Sequence, residues 1–131
     1  MKFYAAGKWE DRWAVKKLQE ALVKLGHTVT VDWTWHEKAD EGYPVQYSID
    51  DIKGVQLADA YVGLFVGQYR YKGALVEMGA ALGLDKKVYL IGHAIDSCLF
   101  AKHPLVQQFE TEDEFLSYVR QTKGGRNEHN L

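Results

Sequence analysis

Glu77 is the only charge in the segment Gly73-Ala74-Leu75-Val76-Glu77-Met78-Gly79-Ala80-Ala81-Leu82-Gly83. Leu75, Met78 and Leu82 recur there at helical spacing. The helical neighbours of Glu77, three and four places away, are Gly73, Ala74, Ala80 and Ala81, all too small to cover a carboxylate. Asp51 is a second acidic group, expected at the start of an earlier helix and on the same edge of the sheet. Two carboxyl groups flanking a glycosidic bond can divide its cleavage. The ionised one attacks the anomeric carbon and the protonated one assists the leaving group, about 5 Å apart in a retaining double displacement. The residues alone leave a second reading open for each. Glu77 also suits a solvated position beside small residues that permit close helix-sheet packing, and Asp51 suits charge stabilisation of a helix N-terminus.

The elements that must position these groups follow from periodicity. Residues 2 to 6 predict a first strand ending at Gly7, and Trp9, Trp13, Ala14, Leu18, Ala21, Leu22 and Leu25 predict one face of a helix stopped by Gly26. A second strand is expected over Thr28 to Trp33, then a long loop over residues 34 to 47. Ser48 is the expected cap of a short helix with Asp50 and Asp51 in its first turn. The uncharged run from Ala60 to Val66 predicts a buried strand feeding the Glu77 helix, and Lys87 to Gly92 a fourth strand. A second long loop spans His93 to Pro104, with a brief strand around Val106 to Phe109. Thr111-Glu112-Asp113-Glu114 has capping-box form before a last helix. Strands alternating with helices imply an α/β fold with a parallel sheet covered on both faces. A flavodoxin-like strand order of 2-1-3-4-5 brings Tyr4 to Gly7 close to the loop Gly67 to Lys72 and to Glu77. One domain over residues 1–122 and a flexible tail over 123–131 are expected.

Composition excludes several classes. The 131 residues carry 16 Lys and Arg against 18 Asp and Glu, a formal charge of -2, so there is no electrostatic footprint for a nucleic-acid polymer. Cys98 is the only cysteine, which rules out an intramolecular disulfide framework and is compatible with a reducing cytoplasm. No run approaches membrane-spanning length, and a cytoplasmic protein is expected. Neither a dinucleotide fingerprint nor a phosphate loop ending in Gly-Lys-Ser or Gly-Lys-Thr occurs. The five histidines show no metal-ligand spacing, so no metal and no cofactor is expected.

Tyr4 on the first strand, Asp51-Ile52 on the second helix, Ala58-Asp59 opening the third strand, and Gly73 to Gly79 followed by Lys86-Lys87-Val88 form an ordered pattern. It resembles the nucleoside 2-deoxyribosyltransferases and the related 2′-deoxynucleoside 5′-phosphate N-hydrolases over residues 2 to about 92. The resemblance implies that Glu77 is a nucleophile forming a covalent glycosyl ester, that Asp51 protonates the departing base, and that Tyr4 hydrogen-bonds Glu77. Asp59 matches a family position that reads as structural. The resemblance also implies a small-molecule nucleoside or nucleotide as partner and a homodimer or higher homo-oligomer, with Ser97 on the loop after the fourth strand reaching a neighbour's site.

Departures bear on substrate. Six residues before the nucleophile, transferases of that family carry an Asp and nucleotide hydrolases a Ser; here Tyr71 stands there. Arg70 and Lys72 are candidate phosphate cations, or simply solvated. Trp33 and Trp35 are candidates to stack on a base, or to pack a lid or interface. Gly7 and Gly73 complete the expected substrate contacts. A transferase passing the sugar to another nucleobase is the favoured reading, on the absence of the phosphate-binding Ser. A nucleotide N-glycosidase, a TIR-like cleaver of NAD and a non-catalytic nucleotide-binding module are the alternatives.

Overall fold

The computed structural model describes residues 1–37 and 43–128, and the side chains of residues up to 122 among them. Five strands form one parallel sheet in the order β2-β1-β3-β4-β5: β1 (Lys2–Gly7), β2 (Thr28–Val29), β3 (Ala60–Leu64), β4 (Lys87–Ile91) and β5 (Val106–Phe109). Four helices connect and cover them: α1 (Arg12–Lys24), α2 (Val45–Leu57), α3 (Lys72–Gly83) and α4 (Glu112–Glu128). This is the flavodoxin-like α/β fold expected from the alternation of apolar runs. β3 is buried along its whole length, as an uncharged run at the middle of a two-sided sheet must be. Helices α2 and α3 pack against each other, and α1 packs against α4. No helix among the described residues is long and apolar enough to cross a membrane.

Four local expectations are corrected. The second strand stops at Val29 rather than Trp33, because side chains take over from the ladder. Thr30 Oγ1 donates to the Gly54 carbonyl at 2.8 Å, Asp32 accepts from the Thr34 amide and hydroxyl, and Trp33 Nε1 donates to the Ala5 carbonyl at 2.7 Å. The second helix begins at Val45 behind Pro44, three residues before its expected cap. Ser48 is inside it and donates back to the Val45 carbonyl at 2.7 Å, as hydroxyls in helices do. Residues 38–42 of the loop expected over 34–47 lie outside the described residues. The first helix is preceded by a 3-10 turn over Trp9–Asp11, which rotates its buried face onto Val15, Leu18, Gln19 and Leu22. Trp13 is left exposed, and the Arg12 guanidinium lies between it and Trp9. The fourth correction concerns the segment between β4 and β5, which includes a 3-10 turn over Leu99–Lys102.

Other junctions follow the sequence closely. Gly26 ends α1 with φ 92°, a conformation that glycine adopts without strain. Thr111 Oγ1 accepts from the Glu114 amide at 3.1 Å at the start of α4. Asp59 Oδ2 accepts from the Lys2 amide at 2.7 Å, tying the helix-to-strand junction to β1. The backbone of α4 continues to Glu128, into the stretch expected as a tail from residue 123, and residues 129–131 lie outside the described residues.

Candidate active site

Tyr4 and Tyr61 are direct register partners on β1 and β3, and both are fully buried. Their phenols project to the side of the sheet covered by α2 and α3. Ala74, Met78 and Ala81 form the buried face of α3, and Glu77, just beyond Ala81 on the helical wheel, is held half-buried at its flank. Asp51 is half-buried on α2, which packs alongside. Because α2 starts at Val45, Asp51 is the seventh residue of the helix and not in its first turn. Helix-dipole stabilisation fades beyond the first turn, so the structural reading of Asp51 as an N-terminal charge loses its basis.

The electrostatics of these groups differ from those of a solvated carboxylate. Burial pushes the Glu77 carboxyl up to about 8; the Tyr4 hydroxyl works against that rise and the Asp51 charge adds to it. Burial, helped by the neighbouring Asp50 charge, pushes Asp51 up to about 6. Burial, with the Glu77 and Asp51 charges next in importance, keeps the Tyr4 phenol protonated far above its ordinary range. The Tyr4 hydroxyl and Asp51 Oδ1 are both buried without a hydrogen-bond partner within 3.5 Å. The Tyr4 hydroxyl nonetheless lies close enough to Glu77 to favour the ionised carboxylate. Buried polar atoms without partners are rare in native folds, and here two occur in one small cluster beside a carboxyl group.

Of the sequence-derived candidates, Glu77, Asp51 and Tyr4 are brought together, and the others divide. Gly7 ends β1, and its bare α-carbon lets α1 approach: a Cβ there would come 2.7 Å from Val15 Cγ2. Gly73 is exposed in the first turn of α3 with open space beside it. Arg70 and Ser97 are exposed on the loops after β3 and β4. Tyr71 and Trp33 are buried, with their polar groups engaged by the protein's own backbone. The Tyr71 ring is 1% exposed, and its hydroxyl donates to the Gly67 carbonyl at 2.7 Å and accepts from the Gly67 amide at 3.0 Å. It holds its own loop closed, with φ 51°, an uncommon value outside glycine. Trp33 is buried, with its indole N–H committed to Ala5. Trp35 is exposed on a well-fixed loop, where Trp9 Nε1 donates to the His36 carbonyl at 3.0 Å and the His36 ring stacks on Tyr47.

No protein-family model matches the sequence, and no curated protein matches it. Solved structures do match. A 2-deoxyribosyltransferase from the psychrotolerant bacterium Bacillus psychrosaccharolyticus superposes with a TM-score of 0.69 at 22% identity, over 88% of this chain and 90% of that one. The chain shares its fold with that enzyme. A CMP N-glycosidase of Clostridium botulinum shares the fold with a TM-score of 0.61 at 17% identity, over 91% of this chain and 98% of that one. A conserved protein from Enterococcus faecalis V583 gives 0.67 at 17% identity, over 93% and 98%. Within this fold, the sequence presents Tyr61 as one more apolar residue of a buried strand. Its pairing with Tyr4 across β1 and β3 is legible only once the register is known.

Proposed function

We propose that this protein cleaves the N-glycosidic bond of a nucleoside or nucleotide and passes the sugar to a second nucleobase. The observation that carries the reading is the convergence of Glu77, Asp51 and Tyr4 with two buried polar atoms left unpartnered. In the first step a Glu77 carboxylate oxygen bonds to the sugar C1 as the C1–N bond breaks, and the bonding pair leaves with the base. Asp51 gives its proton to that base. In the second step a ring nitrogen of the incoming base attacks C1, Asp51 takes up its proton, and Glu77 departs as a carboxylate.

Burial raises the proton affinity of both carboxyls above the ordinary carboxylate range. The reactive arrangement has Glu77 ionised and Asp51 protonated. The Tyr4 hydroxyl favours that arrangement, and positive charge developing at C1 favours it further. The two carboxyls titrate as a pair, so activity should follow a bell with limbs near pH 6 and 8.

Hydrolysis of a nucleoside 5′-monophosphate, with water as the sugar acceptor, is the second reading, and the fold shared with a CMP N-glycosidase favours it. Incubation with deoxyinosine plus adenine separates the two: deoxyadenosine supports transfer, and free deoxyribose alone supports hydrolysis. Mass spectrometry of the intact protein should detect a trapped sugar adduct that is absent from Glu77→Gln. Nicotinamide release from NAD would replace this reading by a TIR-like one. Tight nucleotide binding unchanged by Glu77→Ala, with no turnover, would replace it by a binding module.

A further inference from the structure

Tyr61 has no part in the steps above, yet it contacts both Tyr4 and the helix that carries Glu77. Its ring lies nearly parallel to that of Tyr4, at 23° and 6.3 Å between centroids. The Glu77 charge acts on both phenols. Their hydroxyls differ. That of Tyr4 has no partner, whereas that of Tyr61 donates to the Ala74 carbonyl at 2.7 Å. Ala74 precedes Glu77 by three residues on α3, which places the bond one turn below the carboxylate and on the same side of the helix.

Little else strengthens that turn. Tyr71 at the N-cap supplies no side-chain cap. Gly73, Gly79 and Gly83 lie within α3, and a glycine inside a helix costs about 1 kcal/mol relative to alanine. A Cβ at any of the three would meet nothing within 4 Å, so packing does not demand glycine at these places. The helix that carries Glu77 is therefore weak in itself and depends on attachment to the sheet. A reactive group needs to be held to within about 0.5 Å of its productive position.

We propose that Tyr61 is a positioning residue for Glu77: its hydroxyl pins the first turns of α3 to β3 while its ring braces Tyr4, setting the distance between Glu77 and the one free phenol. This rests on the reading of Glu77 as the reacting carboxylate. Since the Tyr61 donor is spent on Ala74, Tyr4 alone can serve Glu77.

Base exchange by wild type, Tyr4→Phe, Tyr61→Phe, the double variant and Glu77→Gln tests the assignment, each with and without Gly79→Ala. Tyr61→Phe should lower kcat about tenfold and leave KM within about twofold. Its upper pH limb, near 8 in the wild type, should move up as in Tyr4→Phe, because Tyr4→Phe removes and Tyr61→Phe misplaces the donor that favours ionised Glu77. The double variant should be no slower than Tyr4→Phe. Gly79→Ala should restore the Tm lost in Tyr61→Phe and not its kcat. Additive rate losses, an unmoved limb, rescue of kcat by Gly79→Ala, or a Tyr61→Phe chain that stays unfolded with Gly79→Ala would each make Tyr61 a core residue and overturn the proposal. Activity surviving in Glu77→Gln would instead overturn the reading beneath it. Loss in Glu77→Gln with wild-type behaviour of Tyr61→Phe would defeat the positioning role alone.

Discussion

Two acidic clusters sit in this molecule, and they are built on opposite terms. After β4, His93 bonds Asp96 through Nδ1 at 2.8 Å and Glu110 through Nε2 at 2.7 Å, and Gln108 donates to the other Asp96 oxygen at 2.8 Å. Those groups are exposed and partnered, and hydrogen bonding, from Gln108 above all, holds the Asp96 carboxyl below its ordinary value. Between β1, α2 and α3, by contrast, Tyr4 is buried and Asp51 and Glu77 are half-buried, the Tyr4 hydroxyl and Asp51 Oδ1 have no hydrogen-bond partner, and both carboxyls rise. Pairing spends the capacity of a carboxylate to act on anything else, whereas burial without a partner preserves it. The first cluster ties the β4–β5 connection to the sheet; the second is where chemistry is proposed.

The contrast breaks most sharply at Glu77. Glu77→Gln should reduce glycosidic cleavage by about 10³-fold or more, read as released or exchanged base. Stability should move the other way. The folded carboxyl binds its proton up to about pH 8, well above the ordinary Glu range, so its contribution is present at low pH and is lost as pH rises to about 8. Glu77→Gln removes that loss, and should be more stable than wild type at pH 8 by roughly 1–3 kcal/mol in urea unfolding. A variant that is both inactive and less stable at pH 8 would mean that Glu77 is held by partners.

Asp51→Asn should cost about 10²-fold with a purine or pyrimidine leaving group. A substrate whose leaving group needs no proton should recover most of it, which tests the acid role separately from binding. In the same variant the fall in rate at high pH should vanish, leaving a single rise as Glu77 ionises. At the other cluster the expected effect is the smallest. His93→Gln should change turnover by less than about twofold and Tm by no more than about 2 °C, because exposed ion pairs add little. Its raised pKa fixes the sign: any stabilisation from His93 is present below its ordinary titration range and is lost as pH rises through the folded value. A large loss of turnover in His93→Gln would erase the distinction between the clusters.

The sequence by itself determined the sheet and most of its covering. Uncharged runs such as Ala60 to Leu64 and Val88 to Ile91 can only be interior strands, and the spacing of Leu75, Met78 and Leu82 marks α3. It also singled out Glu77, because a lone charge among small residues is visible without coordinates. What it left open was which groups the protein's own backbone engages and where a helix is re-phased. The Ala5 carbonyl claims the Trp33 indole, and the Gly67 backbone claims the Tyr71 hydroxyl. Trp13 stays outside because a 3-10 turn resets the phase of α1. Only the tertiary structure decided that Tyr61 pairs with Tyr4 and pins Ala74, that Asp51 lies too deep in α2 to serve its dipole, and that burial raises the proton affinity of both Glu77 and Asp51. The reason is physical. Periodicity records how each segment divides itself between water and core, but hydrogen-bond ownership and proton affinity depend on which groups strand register and helix crossing bring within a few ångströms.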